Sequence, residues 1–148
     1  MLSVVSKLVI MSILCLYHMT SFAQNKCDDI IGVWLTPENR SAIKIFKQAN
    51  CYYGEIIWEK DANDKNGIPF KDVNNPNPKF RKKTLHGLII MKNLCFDGKN
   101  EWLKGTIYNP ESGNTYKIKV EMINKTTLKV RGYIGFSFIG KTSVWKRK

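Results

Sequence analysis

The sequence predicts an all-β protein, an eight-stranded antiparallel up-and-down β-barrel that follows an N-terminal signal peptide. Three observations carry this prediction. Apolar and polar residues alternate through most of the chain after residue 30, short turns rich in Asn, Gly and Pro separate these segments, and none of them has the periodicity of a strong amphipathic helix. Alternation with a period of two is typical of strands that bury one face. Consecutive short hairpins favour a closed barrel over the alternative, a two-sheet sandwich.

The first residues have the pattern of an export signal. An apolar run follows Lys7 and is too short to cross a bilayer, which needs about 20 residues. Ser21 and Ala23 are small residues at the −3 and −1 positions of a cleavage site before Gln24. We therefore expect residues 1–23 to be removed and residues 24–148 to form a single domain. An uncleaved N-terminal membrane anchor is the alternative.

The first three predicted strands follow the cleavage site. Isoleucine and lysine alternate in the second of them, as expected for a strand with one buried and one exposed face. Gly54 in the middle of the third strand indicates a bend, and such bends help a sheet to curl towards closure. The predicted strands are 31–35, 41–47 and 51–59.

Residues 60–84 interrupt the strand pattern and are rich in Asn, Asp and Pro. A loop of this length is unusual in a compact domain and is usually functional or disordered. We predict a rigid, turn-rich flap in which Asn and Asp side chains bind the flap's own backbone. Asp61, Asn63 and Lys65 do not match the ligand spacing of a calcium-binding loop.

The remaining strands form the most regular part of the sequence. In residues 116–122 every second residue is apolar and the others are Lys or Glu, and residues 128–134 repeat the alternation. Pro110 and Gly113 suit a tight hairpin before them, because proline presets φ and glycine accepts a positive φ. The predicted strands are 85–96, 102–108, 116–122, 128–134 and 136–145.

The chain is strongly basic, with 24 Lys and Arg, 12 Asp and Glu, and a net charge of +12. Such a charge is compatible with binding to nucleic acid or to an anionic membrane. Many of the lysines alternate with apolar residues along the predicted strands, so they surround the sheet and do not form one patch. We expect a solvated basic surface, no specific nucleic-acid site and a weak attraction to an anionic envelope surface.

Three cysteines follow the predicted cleavage site: Cys27, Cys51 and Cys95. Cys51 begins one predicted strand and Cys95 ends the next antiparallel one, in nearly the same register. We therefore expect these two thiols to lie close together and favour a disulfide between them over three idle thiols. An unstrained bridge of this loop length would stabilise the fold by ~4 kcal/mol.

The sequence carries no recognisable catalytic motif. His86 is the one histidine after the cleavage site, and there is no CxxC motif, no P-loop and no dinucleotide fingerprint. Glu55 and Glu59 lie on the predicted outer face of their strand, away from the barrel interior. An enzymatic function is therefore disfavoured, and we expect no cofactor and no metal site.

A barrel interior is the natural place for a ligand, because eight strands leave room for side chains or for one small molecule. Large aromatic residues are predicted to line it, either as simple core or as a binding surface. These residues are Trp34, Tyr52, Trp58, Tyr108 and Tyr116. Arg131 is predicted on the outer face, where we hypothesise an ion pair with Asp72 that holds the flap.

Several motifs carry a resemblance to a known family. They are residues 31–34, residues 53–58, Asp72-x-x-Asn75-Pro76, Arg81 with residues 85–88, residues 102–116 and residues 128–135. Over nearly all of the chain after the signal peptide, they resemble the bacterial exported family catalogued as domain of unknown function 2147. The resemblance implies a small lipocalin-like barrel in the envelope of a Gram-negative bacterium, and it implies no activity. We expect the exported protein to be periplasmic, with association with the envelope or secretion as the alternatives. Asn109 stands where the family usually carries Asp, so any role of that carboxylate is absent here.

Two functions from different classes remain. The first is a periplasmic carrier or sensor that holds a small apolar or amphipathic ligand in the barrel under the flap, with Asp72, Asn75, Pro76 and Arg81 as flap candidates. The second is a non-enzymatic structural or protein-interaction module of the envelope with a filled barrel. The aromatic residues favour a filled interior, and the inward glycines favour a hollow one.

Overall fold

The computed structural model describes residues 26–148, which form a closed barrel of eight antiparallel strands. The strands are β1 (Gly32–Leu35), β2 (Ser41–Gln48), β3 (Cys51–Glu59), β4 (Ile89–Phe96), β5 (Glu101–Asn109), β6 (Asn114–Asn124), β7 (Thr127–Tyr133) and β8 (Gly140–Arg147). Each strand pairs with the next, and β8 closes the barrel on β1 by pairing Arg147 with Trp34. The predicted fold class is confirmed. The predicted signal peptide, residues 1–23, lies outside the described residues.

In the described part of the chain, three short 3-10 helices accompany the strands, at Lys26–Ile30, Pro37–Asn39 and Pro78–Phe80. Two strands begin later than predicted. β4 begins at Ile89 and not at residue 85, because Gly87 has a φ of 82° and the backbone N–H of Leu88 turns back to the carbonyl of Leu85. β8 begins at Gly140 and not at residue 136, because residues 134–139 form a turn. Across residues 26–148, no helix has the length and apolar character needed to span a membrane.

The helix Lys26–Ile30 closes one end of the barrel. The indole N–H of Trp34 donates to the carbonyl of Ile30 at 2.8 Å, and the indole N–H of Trp102 donates to the carbonyl of Cys27 at 3.1 Å. The phenol of Tyr52 donates to the Asp28 carboxylate at 2.6 Å. Burial, followed by this hydrogen bond, raises the pKa of Tyr52, so the phenol remains a donor at neutral pH.

Arg147 fastens this helix to the barrel. Its guanidinium donates to the carbonyls of Asp29 at 2.6 Å and Ile31 at 2.9 Å, and lies 4.1 Å from the centre of the Trp34 ring. A planar guanidinium can make several hydrogen bonds and stack on an aromatic ring at the same time. The last strand therefore holds the closed end in place.

Neighbouring residues fill the barrel interior beside two of its glycines, Gly54 and Gly105. A Cβ atom on Gly54 would lie 2.8 Å from the sulfur of Met91, and one on Gly105 would lie 2.8 Å from both Cγ of Leu94 and the carbonyl oxygen of Lys92. The large neighbours thus occupy the space beside each glycine. The fully buried core includes Trp34, Ile43, Ile45, Tyr52, Met91, Leu94, Trp102, Ile118, Val120 and Leu128. The expectation that inward glycines leave a hollow barrel is wrong at these two positions.

A bulge in β3 moves Trp58 out of the interior. Ile56 pairs with Ile43 and Trp58 pairs with Ala42, so Ile57 is an extra residue in β3. One inserted residue moves the following side chain to the opposite face of the sheet. Trp58 is accordingly 45% exposed, and its predicted place in the barrel lining is wrong.

A second bulge, in β5, has the same effect on Tyr108. The register shifts between Trp102 and Gly105, and Lys104 in this interval has a φ of 64°. After the shift Tyr108 pairs with Thr115, on the outer face together with exposed residues, whereas Tyr116 faces the barrel mouth and is half-buried. The predicted interior position of Tyr108 is therefore wrong.

Gly105→Ala tests how tightly the interior is filled. We expect the substitution to lower the free energy of unfolding by about 1–3 kcal/mol, because the backbone oxygen of Lys92 cannot rotate away from the new methyl group. Gly132→Ala is a matched control, since its Cβ would make ordinary contacts at 3.7 Å and 3.8 Å. In this control the free energy of unfolding, measured by urea denaturation, should change by less than about 1 kcal/mol. Equal effects of the two substitutions would contradict a filled barrel.

Cys51 and Cys95 lie on the neighbouring strands β3 and β4, with their sulfur atoms 3.9 Å apart. The structure has both as free thiols, and their hydrogen bond, followed by burial, raises the pKa of Cys51. This proximity agrees with the predicted register, and the disulfide itself remains a prediction.

We predict that oxidised protein, denatured without reductant, has one reactive thiol in the chain that begins at Gln24. This thiol belongs to Cys27, so Cys27→Ser should reduce the count to zero. Thiol titration with a chromogenic disulfide reagent measures the number of reactive thiols. Three reactive thiols in the oxidised sample would exclude the bridge.

Candidate functional site

Residues 60–88 join β3 to β4. Residues 60–84 of this segment, the predicted flap, lie against the outer face of the barrel, and we keep the name flap for them. The flap is tied to the β5–β6 turn by the side-chain amide of Asn74, which donates to the carbonyl of Glu111 at 2.9 Å. Gly113 in this turn has a φ of 71°, and a Cβ there would collide with the carbonyl of Asn74. Glycine is therefore required for this close approach of turn and flap.

A buried carboxylate anchors the middle of the flap. Asp72 is fully buried, and its two carboxylate oxygens accept hydrogen bonds from the Tyr108 phenol and from the Asn75 side-chain amide, each at 2.6 Å. Its backbone N–H donates to the carbonyl of Lys83 at 2.9 Å. Among residues 26–148, no Lys, Arg or His lies within salt-bridge distance of this carboxylate. A buried charge must be hydrogen-bonded to be tolerated, and here each oxygen has a neutral donor.

The Tyr108 phenol remains a donor over the physiological range. Burial, followed by the hydrogen bond to Asp72, raises the pKa of Tyr108 to about 12. A phenol with a raised pKa stays protonated, so the contact with the carboxylate persists at neutral pH. The outer face of β5 and the flap are thus joined by one short, charge-assisted hydrogen bond.

Arg131 does not take part in this anchor. Its guanidinium donates to the carbonyls of Ser137 and Phe138 in the β7–β8 loop and to the hydroxyl of Thr142 at 2.7 Å. The hypothesised ion pair between Asp72 and Arg131 is therefore wrong. Arg131 does not reach Asp72 because it lies in β7 beside β8 and binds the loop that joins β7 to β8.

The flap is also braced internally. The Nε–H of Arg81 donates to the carbonyl of Asn75 at 2.8 Å, and the side-chain oxygen of Asn75 accepts the backbone N–H of Asn77 at 2.9 Å. Asn77 in turn caps the helix Pro78–Phe80 by accepting the N–H of Lys79. Asn75 thus connects the buried carboxylate to the helix that forms the edge of the flap.

A cleft of about 650 Å³ lies between the flap and the outer face of β4, β5 and β6. Apolar groups form much of its wall, and three basic side chains and several hydroxyl groups border them. The apolar residues are Pro76, Phe80, Leu88, Ile89 and Ile90; the polar and basic ones include Lys83, Thr84, His86, Lys92, Thr106, Tyr108 and Thr115. No Asp or Glu lines the cleft, and the ammonium of Lys83 lies 4.6 Å from the centre of the Phe80 ring.

The cleft combines some of the predicted site residues and leaves others elsewhere. Asn75, Pro76 and Tyr108 line it, and Asp72 and Arg81 support it from behind. Trp34 and Tyr52 belong to the closed core, and Trp58, Tyr116 and Arg131 lie outside the cleft. Within residues 26–148, no three His, Cys, Asp or Glu side chains are placed to hold a metal ion.

Sequence reasoning missed Phe80, Leu88, Ile90 and Lys92. Ile90 carries no signal of its position, because by simple alternation it shares a strand face with the apolar Leu94 and Phe96 as well as with Lys92. Such a face is predicted to belong to the core, and only the structure shows that Ile90 lies on the outer face under the flap.

Asp72→Ala should loosen the flap. The substitution leaves the Tyr108 phenol and the Asn75 amide without their acceptor, a loss of about 1–3 kcal/mol in local stability. We expect trypsin to cleave after Lys79, Arg81, Lys82 or Lys83 at least tenfold faster, as read by mass spectrometry of the fragments. Asp61→Ala, which removes an exposed carboxylate of the same flap, is the control. Unchanged cleavage in Asp72→Ala would show that the anchor does not hold the flap.

Comparisons with known proteins agree with this architecture. A solved structure of protein HP1028 from the human pathogen Helicobacter pylori, described as belonging to the lipocalin family, is similar with a TM-score of 0.71 and 28% sequence identity. The similarity covers 80% of this chain and 82% of that one. The comparison with curated proteins gave no match. The model of a family described as uncharacterized proteins conserved in bacteria matches residues 32–147, and the chain therefore belongs to that family, DUF2147.

Proposed function

We propose that this protein binds a small amphipathic molecule with an anionic group, in the cleft between the flap and the outer face of β4–β6. The observation that carries the proposal is the composition of this cleft, in which apolar walls are bordered by basic side chains without a single carboxylate. We further propose, from the signal-peptide pattern, that it acts in the periplasm as a carrier or sensor.

The size and the apolar part of the cleft suit a small molecule. Its volume of about 650 Å³ lies within the range of ligand sites, roughly 300–1,000 Å³. Phe80 on the flap and Leu88 and Ile90 on the opposite wall provide an apolar surface for an alkyl or ring system. Burying that surface against a ligand is favourable by the hydrophobic effect.

The basic side chains of the cleft indicate the sign of the ligand's charge. Lys83 and Lys92 come from opposite walls, and neither forms a salt bridge among the described residues. The hydroxyl groups of Thr106 and Thr115 lie on the same wall as Lys92 and can donate hydrogen bonds. A carboxylate or a phosphate is the group that such a site favours.

The barrel type supports a ligand-binding role in general terms. Eight-stranded barrels of the lipocalin kind hold one small ligand. Here the packing around Gly54 and Gly105 leaves little space at those levels of the lumen, so we place the ligand in the outer cleft. The same filled packing favours a second candidate, a non-enzymatic structural or interaction module of the envelope.

Titration with a fluorescent long-chain fatty acid tests the proposal, with the corresponding fatty alcohol for comparison. We expect saturable binding of the acid and a loss of about fivefold in affinity for Lys83→Gln/Lys92→Gln, with little change for the alcohol. Lys44→Gln/Lys129→Gln, which removes two exposed lysines outside the cleft, is the matched control.

Two results would argue against the proposal. An absence of saturable binding of either probe would favour the structural module. Equal affinity for the acid in both double variants would place the ligand outside this cleft.

A further inference from the structure

The β7–β8 loop carries a cluster of exposed apolar side chains. Ile134, Phe136, Phe138 and Ile139 are between 57% and 75% exposed. Soluble proteins rarely expose four large apolar residues within six positions of one loop. Contiguous exposed apolar patches of this kind mark interaction sites. We call residues 134–139 the apolar tip.

The apolar tip has a defined shape. The rings of Phe136 and Phe138 stack at a centroid distance of 5.5 Å and an angle of 6°. The backbone N–H of Ile139 donates to the carbonyl of Phe136 at 3.0 Å, and that of Ile134 donates to the carbonyl of Ile139 at 3.2 Å. The two aromatic rings are therefore presented together by a hydrogen-bonded turn.

Arg131 satisfies the polar backbone of the tip. Its guanidinium donates to the carbonyls of Ser137 and Phe138. A backbone carbonyl that enters an apolar medium without a partner is strongly unfavourable. With these two carbonyls bonded to Arg131, the tip can leave water with fewer unpaired polar groups.

Unpaired lysines lie beside the tip. Lys141 follows it in β8 and pairs with Gly132, and Lys117 of β6 pairs with Tyr133, the last residue of β7. Neither lysine has a carboxylate within 4.0 Å among residues 26–148. The whole chain carries a net charge of +12. An apolar tip with two lysines beside it, on a chain of positive net charge, is complementary to an anionic lipid surface, where apolar insertion and electrostatic attraction add.

We propose that the apolar tip inserts into the interfacial region of an anionic lipid bilayer, with Lys117 and Lys141 on the headgroups. The charge around the tip selects a lipid surface as the occupant. This proposal is independent of the ligand cleft, since none of the residues of the tip lines that cleft.

Sedimentation with sucrose-loaded vesicles tests the proposal. We expect the protein to bind vesicles of phosphatidylglycerol and phosphatidylcholine, and to bind pure phosphatidylcholine far more weakly. Phe136→Ser/Phe138→Ser should weaken binding to the anionic vesicles by about tenfold or more, since two aromatic rings no longer insert. Lys117→Gln/Lys141→Gln should weaken the same binding by about fivefold.

Ile123→Ser is the matched control. Ile123 is 53% exposed, but it lies at the end of β6 beside the β6–β7 turn, at the opposite end of the barrel from the tip. It should bind vesicles like the unaltered protein, and thermal melting should show all variants folded. Failure of the unaltered protein to bind anionic vesicles would overturn the proposal and point to a protein partner. Equal binding by Phe136→Ser/Phe138→Ser would overturn it as well, because attraction would then come from charge alone.

Discussion

The hydrogen bond from the Tyr108 phenol to the buried carboxylate of Asp72 is the contact on which the candidate site depends. It joins the outer face of the barrel to the flap, and the Asn75 amide occupies the second carboxylate oxygen. With both oxygens paired, the charge is tolerated inside the protein without a cation. The flap can then stand over β4–β6 at a fixed distance, and the cleft is the space that remains between them.

The filled interior is the reason why we propose a ligand site outside the barrel. Met91 and Leu94 occupy the volume beside Gly54 and Gly105, and the helix Lys26–Ile30 closes one end. A barrel packed in this way serves as a rigid scaffold. The variable parts are then the flap, with its cleft, and the β7–β8 loop, with its apolar tip. The proposed ligand site and the proposed membrane-contacting surface are therefore separate parts of one scaffold.

The fold was predictable from sequence because alternation is a local property, and it remains recognisable in the strands even where a bulge shifts it. The candidate site was predictable only in part. Simple alternation predicts Trp58 and Tyr108 inside the barrel. The bulges at Ile57 and in β5 shift that alternation, and no residue pattern marks either bulge. The pairing of Asp72 with Tyr108, and not with Arg131, depends on which outer face the flap covers. The contacts of Asn74 with the β5–β6 turn fix the face that the flap covers. These tertiary contacts cannot be predicted from residue types alone.

Intermolecular NOEs between a long-chain fatty acid and the methyl groups of the protein test the central claim most directly. The outer cleft predicts NOEs from the alkyl chain to the methyl groups of Leu88 and Ile90, and none to those of Ile118, Val120 and Leu128 in the core. NOEs to Ile118 and Val120 would place the ligand in the lumen, and would contradict both the filled barrel and the role of the flap.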